Sequence, residues 1–477
     1  MNRKPIALLA LLILVCSYVS AQRISVFGTG TMFEALENPA IGVLNRNCNT
    51  VQLNCFIPSI NADGRYFGDA DTLLRNYGLN GSRAIYNRPP LDDPQKINYG
   101  VAIASINWLS AKVLLNYRTG SELLVDVSTK GYGSADLKNE AVSAFNKNNL
   151  EVGSYPNQFL TDSYGSSYTQ VALGFRRDIN EFLSAGIKLG YVSGINYGDL
   201  KFTNTRMDIQ QSLSTPDENQ LYLSLTGTSK LLGKTESLEA KDFMPNFKNP
   251  GLTFSAGVNA RIDDYWEASL YLKDAGFINW KENNKAKVYD GRRYINGVLL
   301  RDYSSDSLKT LLKFNDTTAT TQHFRTSLPA RLEGGVSGYI THYLRSAVFF
   351  SMPLQNLQTD IALINDFFYE DFHFILQAQY NTHNTFQVGT HFMIKTKVVD
   401  FVVGSDNLLG SIKLAKAANE DTQYYYDSRT TANVNFGLVF KFGKCYYSET
   451  AISIPMDDKS ISRRDRRRVA RTRSMGE

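Results

Sequence analysis

The sequence predicts an all-β fold: a transmembrane outer-membrane β-barrel of about 14 antiparallel strands (about 14 to 16), with an N-terminal plug segment. Three observations carry this expectation. Long segments alternate apolar and polar residues with period two, tight turns exchange regularly with long polar loops, and the chain opens on an export signal.

Residues 1–21 are read as a cleaved signal peptide. "MNRKPIALLALLILVCSYVSAQ" has a basic start, an apolar run from Ile6 to Val15 and the small-residue site Val19-Ser20-Ala21. That run is too short for a permanent membrane helix, and no later stretch is long and apolar enough to form one. Bulky Val15 before Cys16 argues against lipoprotein processing. Cys48, Cys55 and Cys445 then remain, too few for a disulfide framework. Cys48 and Cys55 are expected as unpaired buried thiols, with a bridge between them as the alternative in an oxidising periplasm.

Residues 22–49 precede the first confident strand and hold "MFEALENPAIGVLN". Strand side chains alone cannot fill a barrel of this width, so either water or an inserted segment must occupy it. This stretch is the expected inward-folded plug, with Asn38, Pro39 and Ala40 forming its turn.

Residues 50–443 carry the strands. In "GLTFSAGVNARI" Leu252, Phe254, Ala256, Val258, Ala260 and Ile262 alternate with Thr253, Ser255, Gly257, Asn259 and Arg261. "FHFILQAQYN" and "ANVNFGLVFKF" repeat the pattern, and it recurs around 168–177, 267–273, 331–340 and 385–395. Only one modest helix is suggested, near Asp136 to Leu150, and strand boundaries blur between Tyr197 and Leu231. Alternation alone also suits a soluble antiparallel sandwich. The turns separate the two: "RRDINEFL", "IDDYWE", "ITHYLR", "FYEDFH" and "IKTKVVD" are tight, whereas about Glu282 to Thr326 and Asn407 to Arg429 are long polar loops. Such asymmetry is how outer-membrane barrels are built, with the tight turns periplasmic.

Residues 444–477 form a basic tail. Lys459 to Glu477 contributes +6 and Arg3 with Lys4 +2 to a chain total of +5, leaving the body at −3. The tail contains Arg463, Arg464, Arg466, Arg467, Arg468, Arg471 and Arg473. Its composition is that of a solvated, unstructured extension, and its charge suits an electrostatic tether to an anionic periplasmic surface or an acidic partner. Nucleic acid is excluded as a partner by the export signal and by an acidic body without a basic stripe.

The chemistry-bearing patterns are weak, and the chain is not expected to be an enzyme or to need a cofactor. "ISVFGTGTMF" places Gly28 and Gly30 after a strand-like run, but Phe33 stands where a dinucleotide site has its third glycine. "GYGSA" lacks the order of a nucleophile elbow, the histidines lack metal-binding spacing, and "SDNLLG" around Asp406 and Asn407 reads as a loop turn rather than a calcium site. Arg261, Arg331, Glu333, His373, His391 and Lys441 fall on polar strand faces and are expected in the lumen, where they form ion ladders and where the two histidines can meet.

The "ENPA" turn (Glu37 to Ala40) resembles the start of the long-chain fatty-acid transporter (FadL-like) barrels and of PorV- and PorP-type barrels of Bacteroidota. "LYLKDAGFINWKEN", "LPARLEGGVSGYI" and "FVVGSDNLLG" resemble an uncharacterised Bacteroidota outer-membrane barrel family, a domain of unknown function, across most of Val51 to Gly443. The resemblance implies a FadL-like barrel in outer-membrane lipid that binds or passes a small apolar or amphipathic molecule. The alternative is a non-transporting accessory subunit of a secretion or barrel-assembly complex, held to periplasmic or outer-membrane protein partners through the tail.

Overall fold

A computed structural model describes residues 24–42, 51–55, 57–68, 96–116, 119–138, 152–156, 161–214, 218–232, 248–281, 287–299, 320–321, 323–354, 359–382, 385–419 and 431–443. The signal segment, Cys48, Cys445 and the arginine tail lie outside the described residues.

Fourteen antiparallel strands close into a barrel. The first is a broken strand made of β1 (Val51–Asn54) and β2 (Ser59–Phe67), followed by β3 (Ile97–Asn116) and β4 (Ser121–Lys138). A short strand, β5 (Gly153–Pro156), stands outside the wall, and β6 (Thr161–Asp178) and β7 (Leu183–Gln211) resume it. After β8 (Asn219–Leu232), the wall continues through β9 (Pro250–Arg261) and β10 (Trp266–Trp280). Then follow β11 (Lys287–Leu299), β12 (Thr320–Thr321) and a second broken strand, β13 (Phe324–Ser327) with β14 (Arg331–Thr341). The remaining wall is β15 (Leu344–Pro353), β16 (Asp360–Tyr369), β17 (Phe372–Asn381), β18 (Thr385–Lys395), β19 (Val399–Ser405) and β20 (Thr431–Phe442). Closure is direct: Val51 pairs with Phe442, and Ile60 with Phe436.

Both broken strands contain a proline at the break, Pro58 in one and Pro329 in the other. Proline has no amide hydrogen to give to the ladder, so pairing stops there and restarts. β7 is the longest strand and forks. Its first half pairs with β9 from Leu183 opposite Ala260 to Ser193 opposite Pro250, and its second half pairs instead with β8 from Tyr197 to Gln211. β8 pairs on with β11, and β11 with β12, giving a sheet that extends beyond the barrel wall. One face of this sheet buries Met207, Ile209, Leu221, Leu223 and Leu225.

Turns of two to four residues join β3 to β4, β6 to β7, β9 to β10, β14 to β15, β16 to β17 and β18 to β19, all at one end of the barrel. Phe442 and Val51 lie at that same end. Tyr265, Trp266, Tyr343, Tyr369 and Phe372 are exposed around these turns, the position of an interfacial aromatic girdle.

The faces of the alternating strands decide between barrel and sandwich. Leu252, Phe254, Val258, Phe374, Leu376 and Val434 are exposed, while Thr253, Ser255, Gln377, Gln379, Asn433 and Asn435 are buried. A water-soluble sandwich would bury the first set; here apolar residues face outward to hydrocarbon and polar residues face in. Val348, at the middle of β15, is 56% exposed on this outer face. Val348→Arg is therefore expected to destabilise the folded barrel in lipid by about 2–4 kcal/mol, measured by denaturant unfolding in vesicles.

Three expectations need correction. Asp136, Leu137 and Lys138 belong to the end of β4 rather than a helix, paired with Tyr99, Asn98 and Ile97; the rest of that expected helix lies outside the described residues. The expected loop 282–326 contains β11, β12 and β13. After Ser405 the chain does not loop freely but turns into a helix, Leu408–Asn419, which packs on β18, β19 and β20. Asn407 starts it: its side-chain oxygen accepts the Gly410 amide at 3.0 Å, and its amide group donates to Thr431 Oγ1.

Candidate functional site: the filled lumen

Residues 24–42 lie inside the closed sheet. They begin with a short turn, Ile24–Val26, and continue into α1 (Met32–Glu37), which stops where Asn38 takes an extended conformation before Pro39. Ile24, Val26, Phe27, Met32, Phe33, Ala35, Leu36 and Ile41 pack with inward-facing Phe349, Ala362, Ile364, Ile375, Met393, Val402 and Val439. Phe27 and Phe349 stack at 5.0 Å.

This inner segment exposes backbone carbonyls that have no helical partners, and basic side chains from around the wall supply the donors. Lys112 on β3 donates to the Ile41 carbonyl at 2.6 Å, and Lys188 on β7 to that of Leu36 at 2.7 Å. Lys395 on β18 donates to Thr29 O at 2.6 Å, and Arg176 on β6 and Ser184 on β7 both donate to Ala40 O at 3.0 Å. Lys273 on β10 pairs with Glu37. At Asn38, Pro39 and Ala40 the chain bends, and Asn38 Oδ1 accepts the Ala40 amide at 3.0 Å. Glycines leave room for it, since side chains at Gly186 and Gly257 would collide with Pro39 and Asn38, and one at Gly437 with Phe33.

Gly28 and Gly30 have φ of 73° and 61°, left-handed values that glycine adopts freely. Their amides converge on one carboxylate, Glu34, at 2.6 and 2.7 Å. The glycine pair that mimics a phosphate loop thus holds an internal anion from its own helix.

Above α1, a cavity is lined by Leu36, Glu37, Ser105, Asn107, Asp126, Lys130, Lys273 and Asp274. Asp274 sits at a bulge where the β9–β10 register slips, with φ of 53°. The bulge turns its carboxylate inward to meet Lys130 of β4 at 2.7 Å, four strands round the wall. A second strut crosses further up. Arg65 of β2 reaches Asp360 of β16 at 3.0 Å and also holds Asp63 at 2.6 Å, while Arg331 approaches Asp360 from β14 at 3.4 Å.

The upper lumen has two unlike walls. On one, the rings of Tyr132, Tyr164, Tyr197, Trp280 and Phe324 follow one another across β4, β6, β7, β10 and β13 with centroids 5.2 to 6.3 Å apart. Trp280 lies over Gly194, just where β9 ends and the ladder between β7 and β10 is no longer bridged. The other wall, around β16 to β20 and β2, carries Asp360, Gln377, Gln379, Asn381, Asn433, Asn435 and Asn61.

The residues expected in the lumen divide accordingly. Arg331 and Glu333 approach each other at 3.4 Å and share Ser351. Lys441 is buried against Asp400. His373 and His391 lie on adjacent strands but hold different partners: His373 Nδ1 is 3.1 Å from Asp366, which also binds Arg345, and His391 Nε2 is 3.0 Å from Asn435. Arg261 keeps the inward register of β9 but stands exposed at its end. Sequence reasoning missed the lysines that bind the inner segment. Lys273-Asp274, two charges in succession inside an alternating strand, is the one signal that marked the bulge.

A closed antiparallel barrel with apolar side chains outside and ion-paired polar side chains within is an outer-membrane barrel. The chain belongs to the family of unknown function DUF5723, whose model matches residues 58–406. No curated protein matches it. Among solved structures it is similar to the toluene transporter TbuX of Ralstonia pickettii, at 8% identity and TM-score 0.41, over 86% of this chain and 93% of that one. It is also similar to a FadL homologue of Pseudomonas aeruginosa, at 9% identity and TM-score 0.38, over 89% and 96% of the two chains. The toluene transporter TodX of Pseudomonas putida gives 9% identity and TM-score 0.36, over 90% and 96%.

Proposed function

We propose that this barrel binds or passes a small apolar or amphipathic molecule across the outer membrane, with residues 24–42 acting as a plug that shifts or that diverts the molecule sideways through the wall. The observation that supports it most is the aromatic wall, a continuous apolar surface from Tyr132 to Phe324 inside a lumen otherwise built of charges and amides. Trp280→Ala removes its largest ring and opens the seam over Gly194. Purified barrel is expected to carry a co-extracted apolar molecule, detected by mass spectrometry, and the Trp280→Ala variant to carry less. Extracts holding only bulk lipid, together with unchanged uptake of every apolar solute in a deletion strain, would sink the reading.

The place where the tail leaves the barrel supports a second reading, as an accessory subunit. By the orientation rule for such barrels the short-turn end faces the periplasm, so the tail beyond Gly443 starts there. Stoichiometric protein partners that co-purify, and that are lost on trimming Lys459 to Glu477, would favour it.

A further inference from the structure

Two rows of inward side chains on β2, β20 and β18 carry buried polar atoms that no protein group satisfies. Asn61 stands opposite Asn435 in one row, and Asp63 opposite Asn433 in the next. Asn61 is fully buried and neither of its amide atoms is bonded. Asp63 Oδ1, Asn433 Nδ2, Asn435 Oδ1 and His391 Nδ1 are also without partners. The bonds that do exist fix the arrangement: Asn433 Oδ1 accepts the Asp406 amide at 2.7 Å, and Asn435 Nδ2 donates to Asp406 Oδ2 at 2.9 Å. Buried polar groups in native proteins are almost always hydrogen-bonded, so this concentration of unmet ones points to a guest.

The mixture of groups defines the guest's chemistry. Asn61 offers both a donor and an acceptor, Asn433 a donor, and Asp63 and Asn435 acceptors. A metal ion would satisfy the oxygens and leave the Asn61 and Asn433 amide hydrogens stranded, while an anion would face Asp63 and Asp406. Hydroxyl groups both donate and accept. Beside these rows the surface changes character at once, because Asp63 pairs across the sheet with Ile103, a member of the apolar cluster of Tyr99, Val101, Ile103, Ala104 and Tyr132.

We propose that Asn61, Asp63, Asn433 and Asn435 bind the hydroxylated, uncharged head of an amphiphile whose alkyl part lies on the adjoining apolar wall. This rests on the reading of the barrel as one that takes amphipathic molecules, and names the head it selects. The same chemistry is offered by a free sugar and by a sugar-headed lipid, and the test separates them.

The test is calorimetric titration of the full-length barrel in a zwitterionic detergent with octyl glucoside, octanol and glucose. Octyl glucoside is expected to bind at least tenfold more tightly than octanol, and Asn61→Leu is expected to erase that difference while leaving octanol binding unchanged. Asn61→Leu breaks no hydrogen bond present in the fold, so it is expected to fold; Asn61→Ala, equally free of lost bonds, serves if it does not. Gln170→Leu, another unbonded buried amide but three strands away on β6, is expected to keep the preference. Saturable glucose binding lost in Asn61→Leu assigns the site to free sugars as well, and its absence assigns it to sugar-headed lipids. Equal binding of octyl glucoside and octanol would mean that the rows hold ordered water only, overturning the inference while leaving the wider reading intact. Binding of neither would overturn both.

Discussion

Replacing Asp360 by alanine is expected to weaken the barrel more than any other single side-chain deletion in the lumen, by about 3–5 kcal/mol. Asp360 is buried and accepts from Arg65, Arg331, Gln379 and Asn381 at once. Two of these are guanidiniums, so deletion removes the carboxylate they share and leaves Arg65 to Asp63 and Arg331 to Glu333. The bond from Arg65 also joins β2 to a strand five places round the wall, bracing the barrel across its diameter rather than along its surface. The measurement is the temperature at which the folded species on an unheated gel converts to the unfolded one. Asp360→Ala should convert at clearly lower temperature than the parent, with Asp360→Asn between them because an amide keeps an acceptor for one arginine. An unchanged transition would mean that water already carries these charges.

Placing a leucine at Gly437 is expected to push the inner segment out of the barrel. The ring of Phe33 occupies the space that a side chain there would fill, with Val402 beside it. Phe33 is fully buried between Met32 and the strands, so it cannot tilt aside without moving α1. The wall itself loses nothing, because the Gly437 backbone pairs with Val402 whatever its side chain. Gly437→Leu should therefore leave a folded barrel whose residues 24–42 become accessible to protease, and whose conductance in a planar bilayer rises. Loss of the folded barrel, or a segment still protected, would show that the fit at Phe33 does not hold the segment in place.

The strands were legible because the lipid imposes a strict rule on one face. Leu252, Phe254 and Val258, or Phe372, Phe374 and Leu376, must be apolar at every second position, and nothing local competes with that pattern. The helix at Leu408–Asn419 runs directly into the polar residues that follow it, and the sequence of β11 to β13 shows no sustained period-two alternation, so both read as loop. The interior was legible only as a composition. Arg331, Glu333 and Lys441 could be assigned to the lumen from the face they occupy, but the partner they need depends on closure of the barrel. Arg65 and Asp360 meet although 295 residues separate them. Lys112, Lys188 and Lys395 look like any hydrated lumen lysine until the chain before β1 is seen to present carbonyls to them.

The proposed function has residues 24–42 close a barrel that is otherwise open. Single-channel recording in planar bilayers compares the parent protein with a chain lacking those residues and carrying the same wall. The parent is expected to show little or no steady current, and the shortened chain a large, stable conductance of a water-filled pore. Equal conductance from the two would mean that residues 24–42 do not close the barrel.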